Sequence, residues 1–292
     1  MGYGSYSAAD WSKLKASRNL SSGQRVEEVF KKTSCEQKFD PRFIGTRECF
    51  DSEDHPHSTP IVVGLDVTGS MGYLAVKVAT EALNDLIMKL YSTNAVEDPA
   101  LMCAAYGDFR DASPLQVTQF ESDIRIAEQL LELYFENRGS GQVVPTCLWE
   151  FLARHTNIDA INKRGEKGFL FTIGDGAEIR RDYVGETVAR VVGDNLLMPS
   201  RESLLAEVEK KFHVFHIMID DEGNKGFLTG RKIVISRQNI DCIPEIILSA
   251  IQMQKGARLE NVMDQWDEIR RPVLMNALKQ LRLSGTGCSI TL

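Results

Sequence analysis

Apolar runs and amphipathic stretches alternate along the chain from residue 60 onward. Residues 61–66 form a short, nearly continuous apolar run, and apolar side chains recur at helical spacing across 72–91. The same two patterns return through the rest of the chain and predict further strands and helices. The predicted strands are 61–66, 101–106, 115–120, 168–173, 213–219 and 232–236, and the predicted helices are 22–32, 72–91, 122–135, 146–156, 183–195, 200–211, 243–254 and 258–282.

Alternation of strands with helices predicts an α/β fold with three layers, in which helices cover both faces of a mostly parallel, Rossmann-like sheet. The segment 115–120 follows 101–106 after a short connection, which favours a hairpin and one antiparallel edge strand. We expect the main domain over 58–240. A polar extension over 1–57, with a short helix capped by Ser22, precedes it, and 241–292 adds helices packed on the domain and a mobile tail.

Composition narrows the class of protein. The chain has 292 residues, of which 43% are hydrophobic and 26% are charged, values typical of a soluble globular protein. A formal charge of −7 argues against direct binding to nucleic acid, which requires a basic face. The sequence has neither an apolar run long enough to span a bilayer nor a signal-peptide pattern, so we expect no membrane association and a cytoplasmic location. Its six scattered cysteines favour reduced, mostly buried thiols.

The first strand is followed by side chains that carry oxygen atoms. In the stretch GLDVTGSMGY, Asp66, Thr68 and Ser70 alternate at the predicted carboxyl end of the strand, where parallel sheets usually bind ligands. Gly64 and Gly69 have the spacing of a phosphate-binding loop, but Ser70 stands where that loop needs a lysine. A nucleotide site is therefore not favoured.

A phosphatase is one interpretation of the same stretch. The run from Asp66 to Ser70 resembles the aspartyl-phosphate motif of haloacid-dehalogenase-type phosphatases, in which the aspartate attacks phosphorus. The later segment FTIGDGAE resembles their magnesium-binding segment. Ile179 stands where the family has a further acidic ligand. The charge-neutralising lysine that the family has well upstream has no clear counterpart, because Lys167 lies at the start of the predicted strand. The alternative function is thus a magnesium-dependent phosphatase with Asp66 as its nucleophile.

The stretch also resembles the metal-ion-dependent adhesion site of the von Willebrand factor type A (vWA) family. Asp66, Thr68 and Ser70 match the Asp-x-Ser/Thr-x-Ser motif of that family in type and spacing, and Asp175 in FTIGDGAE matches the acidic residue after its fourth strand. The resemblance covers about 58–240. It implies a vWA fold in which these four residues hold Mg²⁺ or Mn²⁺, directly or through water.

A second loop completes the site in that family, usually with a threonine. In this sequence the corresponding loop offers either Gln142 or Thr146, although Thr146 begins a predicted helix, where capping is the commoner role. Asp108 follows the second strand, and we expect it to contact a metal-bound water or a partner. Gln142 departs from the family pattern and leaves open a third hypothesis, a scaffold that binds no metal.

The resemblance implies a non-catalytic protein-binding function. An open coordination position would accept an aspartate or glutamate of a partner protein. The pattern from DVTGSM to LFTIGD is similar to that of bacterial intracellular vWA proteins, which implies a scaffold or adaptor beside an ATPase or kinase-type component, including in defence systems. No catalytic residue is expected under this hypothesis.

Overall fold

A mostly parallel sheet of six strands forms the centre of the computed structural model, which describes residues 4–21, 23–136, 142–178, 184–197, 199–220, 228 and 230–283. The strands of the described residues are β1 (Arg47–Cys49), β2 (Thr59–Asp66), β3 (Pro99–Tyr106), β4 (Leu115–Val117), β5 (Gln142–Val143), β6 (Thr156–Ile158), β7 (Gly168–Gly174), β8 (Ala177–Glu178), β9 (Phe212–Ile219) and β10 (Lys232–Ile235). The six central strands lie in the order β10-β9-β7-β2-β3-β4. Only the pairing of β3 with β4 is antiparallel, so the predicted edge strand is confirmed.

Helices lie on both faces of this sheet. They are α1 (Ala8–Arg18), α2 (Val26–Val29), α3 (Gly72–Lys77), α4 (Leu83–Thr93), α5 (Arg125–Leu130), α6 (Pro145–Arg154), α7 (Asp159–Arg164), α8 (Val184–Val191), α9 (Arg201–Val208), α10 (Ile243–Gln254), α11 (Leu259–Asp264) and α12 (Arg271–Leu278). Side chains of β2 alternate between two apolar clusters, with Ile61 and Val63 in one and Val62 in the other. Alternation of this kind requires a helical layer on each face, and the predicted α/β class is confirmed.

The C-terminal helices differ from the prediction. A single helix over 258–282 is wrong, because α11 ends at Asp264 and α12 begins at Arg271. The Asp267 carboxylate accepts hydrogen bonds from the main-chain N–H groups of Ile269 and Arg270, which starts a new helix. Pro272 then occupies the first turn of α12, where its missing N–H is tolerated. The predicted mobile tail lies outside the described residues from 284 onward.

The N-terminal extension also differs in detail. Helix α1 was not predicted, because its mixed polar sequence lacks a clear apolar stripe, and α2 is only the centre of the predicted 22–32 helix. Ser22, its predicted cap, lies outside the described residues. Trp11 and Phe30 are buried in the apolar cluster on one face of the sheet. The Tyr6 hydroxyl donates a hydrogen bond to Asn84 of α4 at 3.1 Å, so the extension packs against the domain.

Trp11→Ala is expected to lower the free energy of unfolding by about 3 kcal/mol, because it removes a large buried side chain and leaves a cavity. Only 8% of Trp11 is exposed. Lys13→Ala, on the exposed side of the same helix, should change stability by less than about 0.5 kcal/mol. Chemical denaturation of both variants checks this prediction. Equal stabilities would mean that α1 does not stabilise the domain.

Four of the five cysteines in the described part of the chain are buried and all five are free, as the scattered spacing predicts. Within the same part of the chain, none of the helices combines the length and the apolarity that crossing a membrane requires.

Candidate metal centre

The candidate site lies at the carboxyl edge of the central sheet. Asp66 is the last residue of β2, and Gly174 is the last residue of the neighbouring strand β7. The chain turns sharply after Asp66, through a short 3-10 helix at Gly69–Met71, and then enters α3. Asp175 follows β7 directly. Because parallel strands end at the same edge, the DVTGS stretch and the Gly-Asp-Gly segment meet there.

Four oxygen-bearing side chains at this edge are linked one to the next by short oxygen–oxygen contacts. The Thr68 hydroxyl donates a hydrogen bond to Oδ1 of Asp66 at 2.6 Å, and it lies 3.4 Å from the hydroxyl of Ser70. The Ser70 hydroxyl donates to Oδ1 of Asp175 at 2.7 Å. Adjacent ligand oxygens of an octahedral Mg²⁺ ion, with bonds of about 2.0–2.1 Å, are about 2.9 Å apart. The structure therefore brings the four predicted ligands together at spacings that suit a small cation.

The Asp66 carboxylate lies in an environment that disfavours its charge. It is completely buried. Burial raises its pKa to about 7 and repulsion from Asp175 adds to the increase, whereas hydrogen bonds from the Thr68 hydroxyl and from the main-chain N–H groups of Thr68 and Gly176 oppose it. A bound cation would lower the energetic cost of keeping the buried Asp66 carboxylate charged beside the second carboxylate, Asp175. Metal sites commonly place buried carboxylates together in this way.

Both glycines of the Gly-Asp-Gly segment approach Asp66 closely. A Cβ atom at Gly174 would lie 2.7 Å from the Cβ atom of Asp66, and one at Gly176 would lie 2.9 Å from its Oδ2 atom. The main-chain N–H of Gly176 donates a hydrogen bond to that oxygen at 3.3 Å. The absence of side chains at these two positions lets the loop wrap around the Asp66 carboxylate.

The second loop runs beside the Gly-Asp-Gly segment, because β5 pairs with β8. Thr146 follows in the first turn of α6. Its side chain is buried, makes no capping hydrogen bond, and its Oγ1 atom has no hydrogen-bond partner among the residues that the structure describes. The role of helix cap is therefore wrong for Thr146. A buried hydroxyl without a partner is costly unless a ligand satisfies it, and this orphan oxygen fits a metal or a metal-bound water.

The main chain of Gln142 is hydrogen-bonded to the turn that contains Asp108 and Phe109. The carbonyl of Gln142 accepts a hydrogen bond from Phe109, and its N–H donates to Oδ2 of Asp108 at 3.4 Å. Asp108 is fully buried, and its Oδ1 also accepts a hydrogen bond from the N–H of Arg110. The contacts of Asp108 that are described here hold the turn after β3 against β5. These contacts use only the main chain of Gln142, and its side chain stays a predicted ligand beside Thr146.

The structure adds a residue that the sequence did not predict. The Arg237 guanidinium donates hydrogen bonds to Oδ2 of Asp175 at 2.7 Å and to the main-chain carbonyl of Ser70 at 3.0 Å. Arg237 begins a 3-10 helix just after the edge strand β10. Its position two residues beyond a parallel strand was the only sequence signal that it belongs to this edge.

The donor set determines which cation fits. Within the described ranges, no group of three or more His, Cys, Asp or Glu side chains could hold a metal ion. The candidate centre instead combines two carboxylates with hydroxyl oxygens. Such a set suits a hard cation such as Mg²⁺ or Mn²⁺, and it offers none of the thiolate or imidazole ligands that zinc and copper prefer.

Comparisons with known proteins give structural similarities only. No protein-family model and no curated protein matches the sequence. The structure is similar to the pilus adhesin SpaC from Lactobacillus rhamnosus GG in its open conformation, with 12% sequence identity and a TM-score of 0.45, over 72% of this chain and 31% of SpaC. It is also similar to the vWF domain of the type V pili tip protein Mfa5 from Porphyromonas gingivalis, with 10% identity and a TM-score of 0.43, over 69% of this chain and 97% of that domain. This chain therefore spans about a third of SpaC.

Proposed function

We propose that this protein is a non-catalytic binding module that captures an acidic side chain of a partner protein through a divalent cation. The observation that carries the proposal is the chain of four oxygen-bearing side chains, Asp66, Thr68, Ser70 and Asp175, at spacings of 2.6–3.4 Å. Mg²⁺ or Mn²⁺ would be held by these four, with Thr146 contributing directly or through water. Two of the four ligands are hydroxyls, which add no charge, so the cation would be less neutralised than in a site built only of carboxylates and could still attract one from a partner.

The exposure of the surrounding residues gives the partner's direction of approach. Asp66 and Thr68 are buried, whereas Ser70 is exposed to solvent. Tyr73, in the first turn of α3, is 58% exposed. A partner carboxylate would reach the cation from the side of Ser70, and Tyr73 would supply an aromatic contact of the kind common in protein interfaces.

The resemblance of the motifs to bacterial intracellular vWA proteins supports a scaffold or adaptor role in the cytoplasm. Under this proposal the partner is a component of a multi-protein system, such as an ATPase or kinase-type subunit, and it contacts the metal through an aspartate or glutamate. The net charge of −7 makes direct binding of a partner's acidic side chain unfavourable without the cation, so binding should require it.

Calorimetric titration with Mg²⁺ and Mn²⁺ tests the proposal. We expect one site in the wild-type protein, no binding in Asp66→Ala, and about tenfold weaker binding in Thr146→Val, which removes the orphan hydroxyl but preserves shape. Thr80→Val serves as the control, because its equally buried hydroxyl donates to the carbonyl of Val76 within the helix. No binding heat and no shift in the melting temperature with either metal would overturn the proposal and favour the metal-free scaffold.

The phosphatase alternative is tested on the same samples. Lys167 precedes β7, whereas Asp175 follows it, so the whole seven-residue strand, about 20 Å long, separates the lysine from the site. The Asp66 carboxylate is also fully buried and accepts three hydrogen bonds. Turnover of a phosphate ester, together with a fluoroberyllate adduct on Asp66, would establish the phosphatase instead.

A further inference from the structure

Arg237 places a positive charge directly on the candidate metal centre. Its guanidinium donates to the Asp175 carboxylate at 2.7 Å and to the Ser70 carbonyl at 3.0 Å. Asp175 is one of the two carboxylates of the centre, and Ser70 is one of its two hydroxyl donors. The guanidinium therefore contacts both segments of the chain that would surround a cation.

The position of Arg237 is fixed by Asp220 at the end of β9. The Asp220 carboxylate accepts a hydrogen bond from the main-chain N–H of Arg237 at 2.8 Å and lies 3.3 Å from its Nε atom. One acidic residue thus holds both the backbone and the side chain of Arg237. The guanidinium has a planar, rigid arrangement of donors, so these contacts orient it towards Asp175.

Arg237 and a divalent cation require the same carboxylate. A guanidinium within hydrogen-bond distance of Asp175 neutralises part of its charge, and it also repels a second cation placed against the same group. Asp66, in contrast, has no basic side chain among its described hydrogen-bond partners, which are Thr68 and Gly176. The two carboxylates of the centre are therefore compensated unequally in the absence of metal.

We propose that Arg237 is an internal counter-ion that competes with the divalent cation for Asp175 and thereby sets the affinity of the centre for metal. This inference rests on the proposed function. Asp175 would have to share its negative charge between the cation and Arg237, so its pairing with Arg237 would weaken when a metal is held there. The 3-10 helix that Arg237 begins continues into α10, so metal binding is coupled to this segment and not to the DVTGS loop alone.

Calorimetric titration of Arg237→Gln with Mg²⁺ tests the inference. We expect roughly tenfold tighter binding than in the wild type, because a positive charge beside the cation is removed and Asp175 is released. Arg237→Lys retains the charge but cannot make the three directed contacts, and its affinity should lie between the two. Arg231→Gln is the matched control, since it removes an arginine paired with Glu209 just before the opposite end of β10, and it should bind Mg²⁺ as the wild type does.

Melting temperatures distinguish competition from a positioning role. Competition predicts that Arg237→Gln melts below the wild type in chelator but gains more from saturating Mg²⁺. If Arg237 instead positions Asp175 for the metal, Arg237→Gln binds Mg²⁺ more weakly than the wild type. That result would refute the inference but would still support the proposed metal site. Unchanged affinity in Arg237→Gln overturns the inference in the same way. Absence of Mg²⁺ binding in both proteins overturns it together with the proposed function.

Discussion

Asp66→Asn is expected to abolish Mg²⁺ binding and at the same time to stabilise the metal-free protein by about 2 kcal/mol at pH 8. The carboxylate is fully buried and its pKa is raised from 3.8 to about 7, so ionising it in the folded protein costs about 4 kcal/mol relative to the unfolded chain. Asparagine avoids that cost. It exchanges the Oδ2 atom that accepts from the Gly176 N–H for an amide donor, which offsets about 1–2 kcal/mol of the gain.

Because the pKa of Asp66 is raised in the folded protein, the stability of the metal-free protein depends on pH. Between about pH 4 and pH 7 the folded protein keeps a proton on Asp66 that the unfolded chain has lost, so the stability of the metal-free wild type falls as the pH rises through this range. Asp66→Asn carries no such proton. The advantage of the variant should therefore be absent at pH 4 and complete above pH 7. Urea unfolding in chelator at both pH values measures it.

Asp175→Asn provides the contrast. It also removes a carboxylate from the centre and should also lose Mg²⁺ binding, but it removes one of the two carboxylates that pair with Arg237, the other being Asp220. The metal-free protein is then expected to become slightly less stable, by up to about 1 kcal/mol, as for other partly exposed ion pairs. If both variants were destabilised equally in chelator, the unequal compensation of the two carboxylates would be refuted.

The sheet could be predicted from sequence because its strands are short apolar runs separated by helical periodicity. Strand β2 was predicted to within two residues. The C-terminal region failed for a local reason. Apolar residues continue at helical spacing through the break between α11 and α12, whereas the break itself depends on a hydrogen bond of Asp267 and on Pro272. Hydrophobic periodicity does not show where a side-chain hydrogen bond or a proline interrupts a helix.

The candidate site also has residues that the sequence predicts and one that it does not. Asp66, Thr68 and Ser70 are close in sequence, and Asp175 shares a recognisable glycine context with them, so all four could be proposed together. Arg237 could not, because its role depends on which strand lies at the sheet edge and on the side chain of Asp220. Contacts between distant segments that are made by single side chains leave no periodic signal.

Gly174→Ala is expected to lower the free energy of unfolding by about 3 kcal/mol and to abolish Mg²⁺ binding. The new Cβ atom would lie 2.7 Å from the Cβ atom of Asp66 and 2.9 Å from the hydroxyl oxygen of Tyr106. Neither neighbour can move easily. Asp66 is paired with Tyr106 in the sheet, and the Tyr106 hydroxyl donates a hydrogen bond to the carbonyl of Ile173 at 2.9 Å.

Relief of this clash must therefore separate β7 from β2, or push the Asp66 carboxylate away from Gly176 and the metal. Gly45→Ala is the matched control, because a Cβ atom at that exposed position would meet nothing within 4 Å, and its stability should stay within about 0.5 kcal/mol of the wild type. Chemical denaturation and Mg²⁺ titration of both variants measure the two effects. Wild-type stability with intact Mg²⁺ binding in Gly174→Ala would show that the carboxyl edge can expand, and that close packing of the Gly-Asp-Gly segment on Asp66 does not define the site.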